Sequence, residues 1–212
     1  MPTALQSEAV PAQLAWEQHD LYRLFAHVLG SPTRERYALL HRREFAASLR
    51  QLWQELQCEG EFPGLTGFRG FAQYEATYIA LFDVGAPEPP VPLVESAHHK
   101  AIPAQQIALE NVLFYEVLGL HVNPARSFAD HLFTQLEFLA AVRYAGEQAP
   151  DTESRANLAR LERDFLQRHL LNWLPAVEAK LRRLDPPIFP SLFRPLLVFV
   201  QNRLSQLSAG VS

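Results

Sequence analysis

The chain has 212 residues, 48% of them hydrophobic, and a formal net charge of −4. That is enough apolar material for a packed core without staples. The single cysteine, Cys58, excludes an internal disulfide framework and a cysteine-rich metal cluster. The basic residues are nearly all arginine, mixed with acids along helical stretches rather than gathered in a block, which argues against a nucleic-acid partner. Met1 to Ala15 shows no basic region followed by an apolar one, and no eighteen apolar residues run uninterrupted. The reading is therefore a cytoplasmic protein with no membrane insertion.

In chain order the sequence predicts helix after helix. Leu14, Leu21, Leu24, Phe25 and Val28 recur at helical spacing until Gly30, and Ser31-Pro32 restarts the pattern with serine as N-cap. Tyr37 and Leu40, then Phe45, Leu49, Leu52, Trp53 and Leu56, give one or two amphipathic helices ending near Gly60. Phe62 to Gly67 is a turn-rich link. Phe71, Tyr74, Tyr78, Ile79 and Phe82 form the next stripe, an aromatic face that belongs in a core. Gly85 is read as its C-cap. Pro87, Pro89, Pro90 and Pro92 then withdraw the backbone donors that a helix or a central strand would need, leaving a stiff extended segment with Val91, Leu93 and Val94 either packed or open to another chain.

Beyond the prolines, Pro103 opens a helix through Ile107, Asn111, Phe114 and Leu118 that Gly119 ends. Ser127 to about Glu147 is the next, with Leu132, Leu136, Leu139 and Ala140 on one face; Asp151 or Thr152 caps a further one. Pro175 begins a new helix, and Asp185-Pro186-Pro187 separates the last. The expectation is an all-α chain, one globular domain over residues 1–212, with about nine to ten helices and a proline-rich loop near residues 83–103.

No glycine-rich phosphate loop, His-Glu-x-x-His or Gly-x-Ser-x-Gly occurs, so neither a nucleotide switch nor a hydrolase is indicated. His98-His99 lacks a third ligand at telling spacing, and neighbouring residues point to different faces, so no metal is expected. Ser127-Phe128-Ala129-Asp130 fits a capping box, which makes Asp130 a helix-start device and sets His131 in the first turn.

Tyr78-x-x-Leu81-Phe82, the proline run to Pro92-x-x-Glu95-Ser96, a helix ending in Gly119-Leu120, and Asp130-His131 followed by Leu136-Glu137-Phe138-Leu139 together resemble the TorD/DmsD/NarJ family of redox-enzyme maturation chaperones. Arg163-x-Phe165-x-x-Arg168-His169-x-x-x-Trp173 resembles the family's downstream helix. Leu-Phe-Asp-Val-Gly and Pro-Pro-Val-Pro-Leu-x-Glu-Ser are similar to the accessory proteins of dimethyl sulfide, ethylbenzene, selenate and chlorate oxidoreductases. The resemblance implies an all-helical chaperone, not an enzyme, with no cofactor of its own. It also implies a client: the apo catalytic subunit of a molybdenum enzyme, held while its molybdopterin cofactor is inserted, together with its twin-arginine signal peptide in many members. The chaperone itself would act as a monomer or homodimer.

Carried over by motif, Glu95, Ser96, Gly119, Asp130 and His131 are the positions that the resemblance marks. A receptor for two arginines and an apolar stretch needs carboxylates beside a hydrophobic groove. Asp83, Glu95, Asp130 and Glu137 are candidates for the first, Phe82, Val91, Leu93 and Leu136 for the second. The chain departs from signal-binding members at Val91-Pro92-Leu93, where several carry an aromatic, and at His98-His99, where a Tyr-Leu pair is common. A non-catalytic subunit of an oxidoreductase complex is the alternative.

Overall fold

The structure, a computed structural model, describes residues 21–122 and 128–209. Among them nine α-helices follow in order: α1 (Leu21–Leu29), α2 (Arg34–Leu40), α3 (Arg43–Glu55), α4 (Phe71–Tyr78), α5 (Ala104–Glu116), α6 (Leu132–Glu147), α7 (Thr152–Phe165), α8 (Leu171–Leu184) and α9 (Phe189–Ala209). No strand occurs among the described residues; Val94 and His131 form an isolated antiparallel bridge. The fold is all-α, and no described helix is long and apolar enough to cross a membrane.

The apolar stripes predicted from spacing face a common core. Leu21, Leu24, Phe25 and Val28 of α1 pack on α6, α6 packs on α7, and α8 on α9. The aromatic stripe of α4 lies inside as expected: Tyr78 meets Phe82 with ring centres 4.9 Å apart, and Phe82 meets Phe189 of α9 at 5.0 Å. Leu14 lies outside the described residues.

Four local readings need correction. The cap of α2 is Thr33, not Ser31, because the Thr33 hydroxyl is the one placed to accept from the Arg36 amide at 3.1 Å. Pro175 does not begin a helix; it sits inside α8. The chain runs unbroken from α7 through a π turn, Leu166–Leu170, so the hydrogen-bond ladder is already offset before the proline removes a donor. Helix α6 starts at Leu132, five residues beyond Ser127, which lies outside the described residues. Gly85 is not a C-cap either. Helix α4 passes into a π turn, Ile79–Asp83, and ends on extended Val84. A Cβ on Gly85 would lie 2.1 Å from the Glu88 carbonyl oxygen, so glycine is required by the tight fold of the proline loop back on itself.

Gly119, in contrast, closes α5 as read. With φ +66° it donates to Glu116 O at 2.9 Å while Leu120 N donates to Tyr115 O at 3.1 Å, the paired bonds of a left-handed helix stop.

Gly85→Ala should lower stability by about 1–3 kcal/mol, the usual cost of overpacking, measured by urea unfolding. An unchanged midpoint would show that the loop can open at no cost.

Candidate functional site

Beyond the proline loop the chain is extended at Val94, and Val91, Leu93 and Glu95 lie two residues apart, all buried. Val91 N donates to Leu81 O at 2.8 Å, and Val91 and Leu93 enter the core. The next inward position in that rhythm is Glu95, only 3% exposed. A carboxylate there has to find donors, because a buried polar group left unmatched costs about 1–3 kcal/mol.

Three elements supply them. Gln135 of α6 donates through Nε2 to Glu95 Oε2 at 2.6 Å, and Asn111 of α5 through Nδ2 at 3.0 Å. His169, in the π turn, places Nδ1 3.1 Å from both carboxylate oxygens. A carboxylate accepts, so Nδ1 carries a proton; Nε2 is buried and without a partner among the described residues. Gln135 Nε2 also reaches Asn111 Oδ1 at 3.0 Å, and its Oε1 accepts from Trp173 Nε1 of α8 at 3.3 Å. Phe114 and Phe165 wall the His169 ring. Tyr115 donates to Ala129 O at 2.5 Å; burial, with Glu95 and Asp130 behind it, pushes its phenol far above the usual value. His98 stacks on Trp173 at 5.2 Å and donates to Pro92 O at 2.9 Å.

Asp130 and His131 close the same junction from the other side. Glu95 N donates to Asp130 O and Leu132 N to Leu93 O, both at 2.9 Å, which zips the proline segment to the entrance of α6. The Asp130 carboxylate, 4% exposed, accepts from the Ser96 amide at 2.9 Å. It is a long-range strap that stands before the first turn of α6 rather than within it. The cap of α6 is His131, whose Nδ1 accepts from Phe133 N at 3.1 Å. Burial lowers the His131 pKa, with Asp130 opposing in part.

The structure thus brings Glu95, Ser96, Asp130 and His131 together. Phe82, Val91, Leu93 and Leu136 are buried in the core and form no open apolar groove. Asp83, Glu137 and Gly119 are exposed, Gly119 serving as the helix stop. No group of histidine, cysteine, aspartate and glutamate among the described residues is arranged to hold a metal. The knot around Glu95 is a fastener: its donors are spent on one another and on the carboxylate.

What the sequence reading missed lies on α5. Ile107, Asn111 and Tyr115 face inward, yet Leu109, Leu113 and Val117, also four apart, face outward and are 58%, 54% and 64% exposed. A helix apolar on opposite faces is expected to be covered on both. Beside the stripe runs a groove of about 200 Å³ lined by Leu113, Phe114, Val117 and Leu161, with Glu110 and Arg168 3.7 Å apart at one end. The signal was available in the sequence as two interleaved apolar series on one helix. Of the donors, Gln135 carried no signal, while Asn111 was marked only as a helical position and His169 only as part of the downstream motif, neither as a partner of Glu95.

Removing the carboxylate with Glu95→Ala strands its donors, and the expected loss is on the order of 3 kcal/mol in urea unfolding. A loss below about 1 kcal/mol would mean that the knot is not a fastener. For His131 the folded-state pKa lies below its ordinary 6.5. The unfolded chain takes up a proton that the folded chain resists, so the contribution is whole above that pH and is lost as pH falls through it. His27 and His98, also lowered by burial, act in the same sense. The unfolding midpoint should drop between pH 7.5 and 5.5, and drop less in His131→Asn, which caps without titrating. Equal drops would exclude His131 as a source.

Sequence comparison places this geometry among known proteins. The sequence model described as nitrate reductase delta subunit matches residues 42–179. The chlorate reductase assembly chaperone protein of Ideonella dechloratans is 37% identical over 112 residues, 50% of this chain and 56% of that protein. The selenate reductase assembly chaperone protein of Thauera selenatis is 34% identical over 113 residues, 52% of this chain and 58% of that one. These two matches therefore span a little over half of the relatives' lengths. The perchlorate reductase assembly chaperone protein of Dechloromonas aromatica is 30% identical over 188 residues, 83% of this chain and 84% of that one. The chain belongs to the nitrate reductase delta subunit family, as its TorD/DmsD/NarJ-like motifs anticipate.

Proposed function

We propose that the chain is a cytoplasmic, non-catalytic maturation chaperone that binds the apo catalytic subunit of a molybdenum oxidoreductase of the DMSO reductase family. It assists molybdopterin insertion and delays twin-arginine export until the client is loaded. The observation that carries this reading is the 30% identity to a reductase assembly chaperone over 83% of the chain. The geometry supports it in a second way, because the protein has a rigid interior and an uncovered apolar face rather than a reaction site.

The client docks on the outer stripe of α5. Leu109, Leu113 and Val117 form a ridge that one amphipathic client segment can cover, with Arg168 and Glu110 at the rim available to its polar side. Cofactor loading folds that segment into the client, and release follows because the chaperone binds one client state and not the other. An affinity near micromolar, about 8 kcal/mol, holds a client and still lets it go.

The family's description as a delta subunit favours a second reading, a permanent subunit of the mature enzyme. Capture by the tagged chain from cells with and without molybdenum-cofactor synthesis separates the two. The chaperone reading predicts capture of cofactor-free catalytic subunit, enriched when synthesis is blocked; equal capture of loaded enzyme would establish the subunit reading. Leu113→Glu and Val117→Glu should reduce capture at least tenfold while changing stability by no more than about 0.5 kcal/mol, as for other surface substitutions. Undiminished capture by both would remove α5 as the docking face.

A further inference from the structure

The polar residues of α6, α7 and α9 that play no part in the Glu95 knot line a second groove, of about 190 Å³, between those helices. Its charged lining is Arg143, Glu147, Arg155, Glu162 and Arg203, three cations against two anions. Arg203 and Glu162 are fully engaged with each other: Nε and a terminal nitrogen donate to the two carboxylate oxygens at 2.8 and 2.7 Å, and Tyr22 adds its hydroxyl to Glu162 at 3.1 Å. Arg143 is not so matched. Its side chain is 14% exposed and meets Glu147 only at 3.7 Å, through a terminal nitrogen; its Nε is buried with no acceptor among the described residues. Arg155 adds a further positive charge at the surface.

The rest of the lining is apolar and small: Val142, Leu158, Ala159 and Gly146. Glycine within a helix costs about 1 kcal/mol relative to alanine, and packing does not demand it at position 146. A Cβ there would meet only the Leu158 Cβ at 3.9 Å, an ordinary contact. What the missing methyl leaves is room in the groove.

We infer that this groove binds a carboxylate carried on a short apolar stem. The carboxylate meets the outer side of the Arg143 guanidinium, whose terminal nitrogen comes only within 3.7 Å of Glu147, and lies in the field of Arg155, and the stem lies on Val142, Leu158 and Ala159 beside Gly146. Charged hydrogen bonds in a partly desolvated site favour an anion over water, and the floor selects against one without a hydrocarbon part. This site is independent of client docking on α5, and its failure would leave that reading untouched.

The test is titration of the full chain by two-dimensional NMR with butyrate, with inorganic phosphate, and with N-acetyl-Ala-Val bearing a free carboxyl. Butyrate should give saturable shifts at the Gly146 and Ala159 amides and at Arg143 Nε–H, with phosphate at least tenfold weaker. Tighter binding of the dipeptide would assign the carboxylate to a polypeptide terminus, and binding of butyrate alone to a free acid. Arg143→Gln should weaken butyrate at least tenfold. Gly146→Val, which keeps every charge, should abolish binding and keeps the test decisive if the arginine variant folds poorly. No saturable shift with any probe, or phosphate binding as well as butyrate, would overturn the site.

Discussion

A carboxylate buried in a core must be met by donors, and the elements that supply them are thereby fixed relative to one another. Glu95 draws its donors from α5, α6 and the π turn before α8, three elements that are far apart in sequence. Two backbone bonds and the Asp130 carboxylate add the entrance of α6 to the same junction. The proline segment, which has almost no backbone donors to offer a helix, is made rigid by what surrounds it. Such a knot is costly if one member is lost, which is the physical reason to expect it to specify a single arrangement rather than to add much net stability.

That arrangement sets the exposure of α5. Asn111 is tied inward, Phe114 packs edge-on against Phe165 and Tyr115 packs at a tilt against Phe138, so the helix cannot roll to bury its other side. Leu109, Leu113 and Val117 are left outward by geometry. A protein that must hold an unfinished partner benefits from a rigid, uncovered apolar ridge, because little ordering cost is then added on binding. The family-marked residues sit at the junction beneath: Glu95, Asp130 and His131 help to set the exposed ridge of α5 without being on it.

The helical character, the core stripes, the Gly119 stop and the Asp151 cap were legible because they rest on local periodicity and local chemistry. Val91 and Leu93 were legible as apolar but not as buried, since burial depended on a partner surface that only the tertiary fold provides. Asp130 misled because Ser127 to Asp130 has the spacing of a capping box, whereas its carboxylate is used by Ser96, 34 residues away. Gly85 misled for a similar reason: a glycine after a helix reads as a stop, but a close backbone approach made it necessary. His131 as a cap was illegible, because histidine caps only when its tautomer leaves Nδ1 bare.

The most direct test of the central claim, that the Glu95 knot stays closed while the outer face of α5 takes the client, is hydrogen exchange on the chain with and without apo catalytic subunit. The account predicts added protection over Leu109–Val117 and at Leu161 to Arg168, with the amides of Val91, Glu95 and Ser96 equally protected in both states. Protection confined to the proline loop at residues 84–90, or exchange opening at Glu95 and Ser96 when the client binds, would contradict it.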